Sequence, residues 1–378
     1  MVLKVLRLLP ELDFGGVESR VQLQGQLHAP SDYALRVCAF HKLGKAARRL
    51  EELGVPVDVL NVDPRARNPA ATLALARYLR RQRPDVLHAS IAEANFHGLL
   101  AGSASRVPVR IAEETGMPAH SRTARLMYRG VYQLASSVVG VTSAVADYVR
   151  DVDRAPRDRV RVIHNCAGPA FFPEARATVA RPPGPFRVLL VGRLVPVKNH
   201  LHFLAAVAPL LSSRPDLRVA IAGDGPLRTE LARAIRELGL EGSVELLGAR
   251  SEVQQLLATA HLFALPSLSE GCSVSLIEAM ASGVPAIGSD VPGVREVMGP
   301  LAAEWTTSST ATDGWIRLLT AASGMEPAKR EAWALRAQAR MYELFSPTTY
   351  VARLSSLYRE LSGAMRSRPT TRAEQAVT

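Results

Sequence analysis

Leu265-Pro266-Ser267-Leu268-Ser269-Glu270-Gly271-Cys272-Ser273-Val274-Ser275-Leu276-Ile277-Glu278-Ala279-Met280-Ala281-Ser282-Gly283-Val284-Pro285 is the stretch on which the fold turns. The apolar run 262–265 before it predicts a strand, followed by a polar loop, a helix, a glycine stop and another strand. Ser273 or Ser275 can cap the helix, Gly283 sits where a left-handed residue is wanted, and Pro285 forbids continuation. Free backbone N–H groups therefore gather at a helix N-terminus beyond the carboxyl end of a strand. In an open α/β sheet that is a place for an anionic ligand. Two carboxylates, Glu270 and Glu278, bracket the turn. A phosphate would repel them, so they suit hydroxyl groups, and a ligand carrying both phosphate and hydroxyls is a nucleotide sugar. The plainer alternative is an acidic helix start and a solvated loop residue.

Upstream, Phe186-Arg187-Val188-Leu189-Leu190-Val191-Gly192 reads as a buried parallel strand, nearly continuous in apolar residues. It runs into Arg193-Leu194-Val195-Pro196-Val197-Lys198-Asn199-His200. Arg193 and Lys198 suit a pyrophosphate, one as a bidentate fork and one as a point charge. Two loop cations on a basic protein are the alternative. The run 217–222 leads into Gly223-Asp224-Gly225-Pro226, which lacks the third glycine of a dinucleotide fingerprint and carries a proline in the turn. Val244-Glu245-Leu246-Leu247-Gly248 and then Ala249-Arg250 form a further strand and turn.

The first half alternates in the same way. A strand within the run 1–9 precedes Asp13-Phe14-Gly15-Gly16-Val17-Glu18 and a helix to about residue 28. Paired glycines in a first βα turn admit a ligand to the backbone, a weak signal alone. Strands near 35–40 and 57–60 alternate with helices near 46–53 and 70–83, which predicts a doubly wound parallel sheet. His88 stands at the end of the next strand, either functional or a satisfied, half-buried ring. The strand 108–112 is expected to end in Glu113 and Glu114. A helix over 121–133 mixes Arg122, Arg125 and Arg129 with Leu126, Met127 and Val131; docking on its own sheet fits it better than contact with a membrane. Ser143 is expected to cap the helix that follows, and Asp151-Val152-Asp153 reads as a charged surface run.

The spacing Glu270-x7-Glu278, with Pro-Ser before it and Glu-Ala-Met-Ala-Ser-Gly-Val-Pro from Glu278 onward, closely resembles the retaining glycosyltransferases of family four. The resemblance extends to the Gly-Arg-Leu-x-x-x-Lys-Asn string at 192–199, the Gly-Asp-Gly-Pro turn and the Gly15-Gly16 loop. It also takes in Val162-Ile163-His164-Asn165, where Cys166 replaces a usual glycine. It spans nearly the whole chain and is most specific over 188–296. It implies the α/β GT-B fold: two Rossmann-like, doubly wound parallel-sheet domains facing each other across a cleft. An acceptor-side domain would cover 1–178 and a nucleotide-sugar domain 179–345. A helix over 346–365 would cross back, ahead of a polar tail 366–378, and a Pro- and Ala-rich linker would occupy 173–185. Glu278 would hold the ribose, while Glu270 with Gly271, Cys272, Ser273 and Val274 would hold the donor sugar. Arg193 and Lys198 would hold the diphosphate, Gly248 and Ala249 the base through backbone groups, and Gly15 and Gly16 the diphosphate or acceptor. Many relatives place a histidine at the end of the fifth strand. Acidic residues stand there instead, so Glu114 is the catalytic candidate beside Arg193, Lys198 and Glu270, with Glu113, His88 and His120 in contention. Residues 299–313 look short and irregular where relatives carry another turn and strand.

At 378 residues, 47% hydrophobic and 21% charged, the chain can bury two full cores. Three scattered cysteines make neither a disulfide framework nor a zinc site. The first nine residues are too short and too charged for a signal segment, and no run reaches membrane-spanning length. A cytoplasmic protein is expected, peripheral at the inner face of the membrane. The net charge is +11, and residues 1–178 carry 25 basic against 17 acidic side chains. Such a surface suits an anionic membrane or acceptor. With aromatics at 5% and no interleaving of them with the basic residues, nucleic acid is not an expected partner. The expected function is metal-independent, retaining transfer of a sugar from a nucleotide-diphosphate co-substrate to a hydroxyl of a glycan, lipid-linked glycan or small molecule. A sugar-nucleotide epimerase and a non-catalytic nucleotide-sugar binder are the alternatives on the same fold.

Overall fold

The computed structural model describes residues 2–13, 15–117, 121–173 and 184–366. His120, most of the 173–185 linker and all but the first residue of the 366–378 tail lie outside the described residues. The chain divides into two compact units, one of Met1–Ile163 with Val351–Thr378 and the other of His164–Tyr350.

The first unit holds seven strands: β1 (Leu3–Leu9), β2 (Tyr33–Ala39), β3 (Val57–Val59), β4 (Val86–Ser90), β5 (Val109–Glu114), β6 (Ser137–Gly140) and β7 (Val160–Val162). Their order is β3-β2-β1-β4-β5-β6-β7, and every pairing is parallel. The order reverses between β1 and β4, the kind of switch point where a crevice opens at the strands' carboxyl ends. Local chemistry sets the helices that cover the sheet. Asn68 accepts a hydrogen bond from the Ala70 N–H, Pro69 opens the helix Pro69–Gln82, and Arg83 ends it in the left-handed region. The buried face of that helix packs Ala71, Leu75 and Leu79 with Leu6, Leu8, Phe40 and Leu87 from the sheet.

The second unit holds β8 (Phe186–Val191), β9 (Leu217–Ala222), β10 (Val244–Gly248), β11 (Leu262–Leu265), β12 (Ala286–Ser289) and β13 (Thr306–Thr307). They run β10-β9-β8-β11-β12-β13, again all parallel, with the switch between β8 and β11. The segment expected to be irregular over 299–313 contains β13, whose two residues pair with Gly288 and Ser289. It is too short to leave a periodic signal in the sequence.

Two other expectations need correction. Thr142, one residue before Ser143, caps the helix Ser143–Asp151 by accepting from Val145 N. Asp153 is fully buried rather than a surface residue. The helix ends at Asp151, and the chain then turns inward as Asp153 N donates to Tyr148 O and Ala155 N to Val149 O. The last helix, Pro347–Arg366, belongs to the first unit from Val351 onward, where Leu354, Leu357 and Tyr358 are buried.

Candidate functional site

Three loops meet at the carboxyl edge of β8, β9 and β10. Leu194 N donates to Asp224 O at 2.9 Å, Leu227 N to Leu194 O at 3.0 Å, and Gly223 N to Gly248 O at 2.8 Å. The approach requires glycine: a Cβ on Gly223 (φ +153°) would lie 1.8 Å from Gly192 O, and one on Gly225 (φ +158°) 2.5 Å from Leu194 O. The Gly-Asp-Gly-Pro turn thus braces the loop that carries Arg193. That guanidinium is exposed and has no ion pair among the described residues.

Lys198 closes the short turn Pro196–Lys198, and its Nζ donates to Glu270 Oε1 at 2.6 Å. Ser267 Oγ donates to the same oxygen, also at 2.6 Å. Leu268 N donates to Val197 O at 2.8 Å, which ties the loop after β8 to the loop after β11. Ser273 caps the helix Val274–Ala281, and Gly283 follows at φ +69°, as the sequence predicts. Beneath the loop, a Cβ on Gly293 would lie 2.2 Å from Glu270 O and 2.4 Å from Gly271 O. Asn165 Nδ2 fixes the same loop from another side by donating to Cys272 O at 2.7 Å. Glu278 keeps partial access to solvent, yet the protein around it is dense enough that burial raises its pKa to about 8.

The structure therefore brings Lys198, Glu270, Gly271, Cys272 and Ser273 together, with Glu278 one turn along the helix from Val274. Gly248, in the left-handed region at φ +76°, and exposed Ala249 end the neighbouring strand. Sequence reasoning gave no role to Ser267, Asn165 or Gly293. Their signal was present only as motif context, because each acts by fixing backbone.

In the first unit the buried polar residues form a closed network. Arg7 donates to His88 Nδ1 at 2.6 Å, Ser90 Oγ at 2.8 Å and Glu113 Oε2 at 3.0 Å, while Arg20 donates to Glu113 Oε1 at 2.5 Å. Burial alone would raise the Glu113 pKa, but Arg20 and Arg7 outweigh it and hold the carboxyl well below its usual range. Burial, then Arg7, keeps His88 neutral, and Tyr358 Oη lies 2.8 Å from its Nδ1. His88 is a satisfied core histidine in this arrangement.

Glu113 and Glu114 are the last residues of β5, at the strand end where the sequence puts them. Glu114 is 3% exposed and accepts from Asn95 Nδ2 at 2.6 Å and Tyr132 Oη at 2.7 Å. Burial outweighs these donors and lifts its pKa to about 7. Gly15 and Gly16 open the helix Gly16–Leu27, with the Glu18 carboxylate folded back over Gly15. Asp151 is exposed and Asp153 buried, so the pair does not present a common chelating face.

Each unit is a doubly wound parallel sheet, and the second carries a paired Lys–Glu, an exposed Arg and a capped helix N-terminus at its switch point. This is the GT-B class of architecture. The chain belongs to the glycosyl transferases group 1 family, which matches residues 171–340, while residues 15–166 match the glycosyl transferase 4-like domain. Putative glycosyltransferase EpsF of Bacillus subtilis is 30% identical over 205 residues, covering 50% of this chain and 53% of that protein. The chain thus spans about half the length of this curated relative. Alpha-D-kanosaminyltransferase of Streptomyces kanamyceticus is 27% identical, covering 96% of this chain and 100% of that protein. Among solved structures, Anabaena Alr3699/HepE in complex with UDP and glucose superposes with a TM-score of 0.79 at 21% identity, covering 94% of this chain and 99% of that one.

Proposed function

We propose that the protein transfers a sugar from a nucleoside-diphosphate donor to a hydroxyl acceptor in glycoconjugate biosynthesis, with retention of anomeric configuration and without a metal. The observation that carries this reading is the Lys198–Glu270 pair beside exposed Arg193 and the helix N-terminus at Ser273. A diphosphate leaving group gathers negative charge as the glycosidic bond breaks. Arg193, Lys198 and the free N–H groups of the loop stabilise that charge where it develops. Glu270 holds Lys198 in position, and with Gly271, Cys272, Ser273 and Val274 it accepts and orders the hydroxyls of the sugar. Glu278 takes the ribose, and the backbone at Gly248 and Ala249 takes the base. Gly15 and Gly16, at the start of the helix Gly16–Leu27, offer backbone to the diphosphate or to the acceptor. Glu114 enters catalysis only by a movement that opens its closed pocket. The kanosaminyltransferase, matched along its whole length, and the complex of UDP and glucose support a hexosyl donor, with UDP the first base to test.

A thermal-shift screen against UDP-, GDP-, dTDP- and ADP-sugars, with and without magnesium, tests the donor reading. Stabilisation by one series, independent of metal and lost in Glu278→Ala, supports it; no shift with any series overturns it. Product formed without acceptor would favour an epimerase, tight binding without turnover a non-catalytic binder, and the anomeric proton coupling of a transfer product decides retention.

The proposed setting is the cytoplasm, with a peripheral contact to an anionic membrane. The helix Arg122–Tyr132 docks through Tyr128, Val131 and Tyr132, while Leu126 (70% exposed) and Met127 (42%) face outward among exposed Arg122, Arg125 and Arg129. No helix among the described residues is long and apolar enough to cross a membrane. Flotation with phosphatidylserine vesicles, weakened by Leu126→Glu, tests the contact.

A further inference from the structure

Arg228 follows the Gly-Asp-Gly-Pro turn at the carboxyl edge of the second sheet, where the fold gains little from a cation. It is the first residue of the helix Arg228–Glu237, whose cap residue Leu227 makes no side-chain bond. Positive charge at that end opposes the helix dipole, which favours acids in the first turn. The one ion pair that Arg228 makes among the described residues, to Asp224 Oδ2, is 4.0 Å long and beyond hydrogen-bond reach. Asp224 instead uses its Oδ1 to accept from Gly225 N at 2.8 Å. The Arg228 side chain is 45% exposed. Arg250, just past Gly248 and Ala249, differs in being paired with Glu252 at 3.3 Å.

The guanidinium nevertheless has a defined place. A Cβ on Gly248 would lie 3.1 Å from Arg228 Nη1 and 3.8 Å from Nη2, so the fork rests against the bare Cα of Gly248. Gly248 is itself held in the left-handed region at φ +76°, with its carbonyl accepting from Gly223 N at 2.8 Å. Backbone groups at Gly248 and Ala249 can hold a base, and a fork of fixed N–H donors beside them can choose among bases. A guanidinium has donors and no acceptor. It matches the ring carbonyls of uracil, thymine and guanine. Adenine carries an amino group instead of a carbonyl, which sets donor against donor.

We propose that Arg228 selects the base of the donor, its guanidinium donating to a ring carbonyl and so admitting uridine, thymidine or guanosine diphosphates ahead of adenosine diphosphates. The proposal rests on the reading of Gly248 and Ala249 as the base site and adds to it a side chain that sets specificity.

Calorimetric titration of the full chain with UDP, GDP and ADP isolates the base, because the three share one ribose and one diphosphate. UDP or GDP is expected to bind about ten-fold or more tightly than ADP, the scale of one charge-assisted hydrogen bond. Arg228→Ala should remove most of that preference by weakening the favoured nucleotide while ADP affinity stays as it was. Its Tm should not fall, since the helix start loses only an unfavourable cation. ADP bound as tightly as UDP and GDP by the unaltered chain would overturn the proposal, as would a preference that survives in Arg228→Ala. An equal loss for all three nucleotides would also overturn it, by putting the guanidinium on the diphosphate. Absence of binding by all three to the unaltered chain would overturn the donor reading itself, a separate failure seen before any variant is made.

Discussion

At the residue scale, Arg193 and Lys198 carry like charge but differ in what their removal does. Lys198 is 20% exposed and neutralises Glu270, itself 9% exposed. Lys198→Ala strands a largely buried carboxylate and should lower stability by about 1–3 kcal/mol as well as turnover. Arg193 is exposed with no ion pair to break among the described residues. Arg193→Ala should therefore reduce kcat by about ten-fold or more, the scale of one lost transition-state contact, with its Tm unchanged. Equal loss of Tm in both variants would contradict this division of labour. Glu278 makes a third case. Burial lifts its pKa to about 8, so at pH 7 the carboxyl is mostly protonated. Ribose hydroxyls donating to it favour the charged form. Donor binding at pH 7 should then release a proton, seen as a dependence of binding enthalpy on buffer ionisation enthalpy and lost in Glu278→Gln.

At the element scale, the site is an agreement among loops. Gly293→Ala puts a methyl within 2.2 Å of Glu270 O, against backbone that cannot yield as a side-chain tip would. The expected result is a lower Tm together with weakened UDP binding, because the helix Pro292–Met298 must retreat from the loop that carries Glu270. Unchanged UDP affinity in a folded Gly293→Ala variant would show that the loop does not need this support. How far such features can be read in advance depends on their physical kind. The capped helix after β11, the left-handed Gly283 and the cationic loop after β8 are written in local residue types, and they were legible. Strand β13 was not, because two threonines make no period. The depth of Asp153 was not legible either: charge favours the surface, and only the turn after Asp151 carries it inside. Nor could the strand-end acids of β5 be read as core residues, since their partners Arg7, Arg20, Asn95 and Tyr132 are distant in sequence.

At the scale of the whole molecule, buried acids give the stability an unusual pH slope. Burial raises Asp153 to about 6, Glu114 to about 7 and Glu278 to about 8. A carboxyl whose folded pKa lies above its unfolded value stabilises fully below the unfolded value, and its contribution is lost as pH rises through the folded one. His88 and His200 act in the opposite sense. Their folded pKa values are lowered, that of His200 to about 4 by burial and then Lys198, so their contribution is present above about 6.5 and is lost in acid. Below about pH 6.5 the two sets oppose each other, and Asp153 is spent soon above its folded value. From 6.5 to 8 Glu114 and Glu278 remain active, each lowering stability by up to about 1.4 kcal/mol per pH unit. Glu114 lies in the first unit and Glu278 in the second, so calorimetric melting should show both units losing Tm across this window. Glu114→Gln should flatten the slope of the first and Glu278→Gln that of the second. Glu113 provides the control. Its charge is held by two buried guanidinium groups, so Glu113→Gln should destabilise the first unit by roughly 3–5 kcal/mol at every pH in the window, without changing its slope.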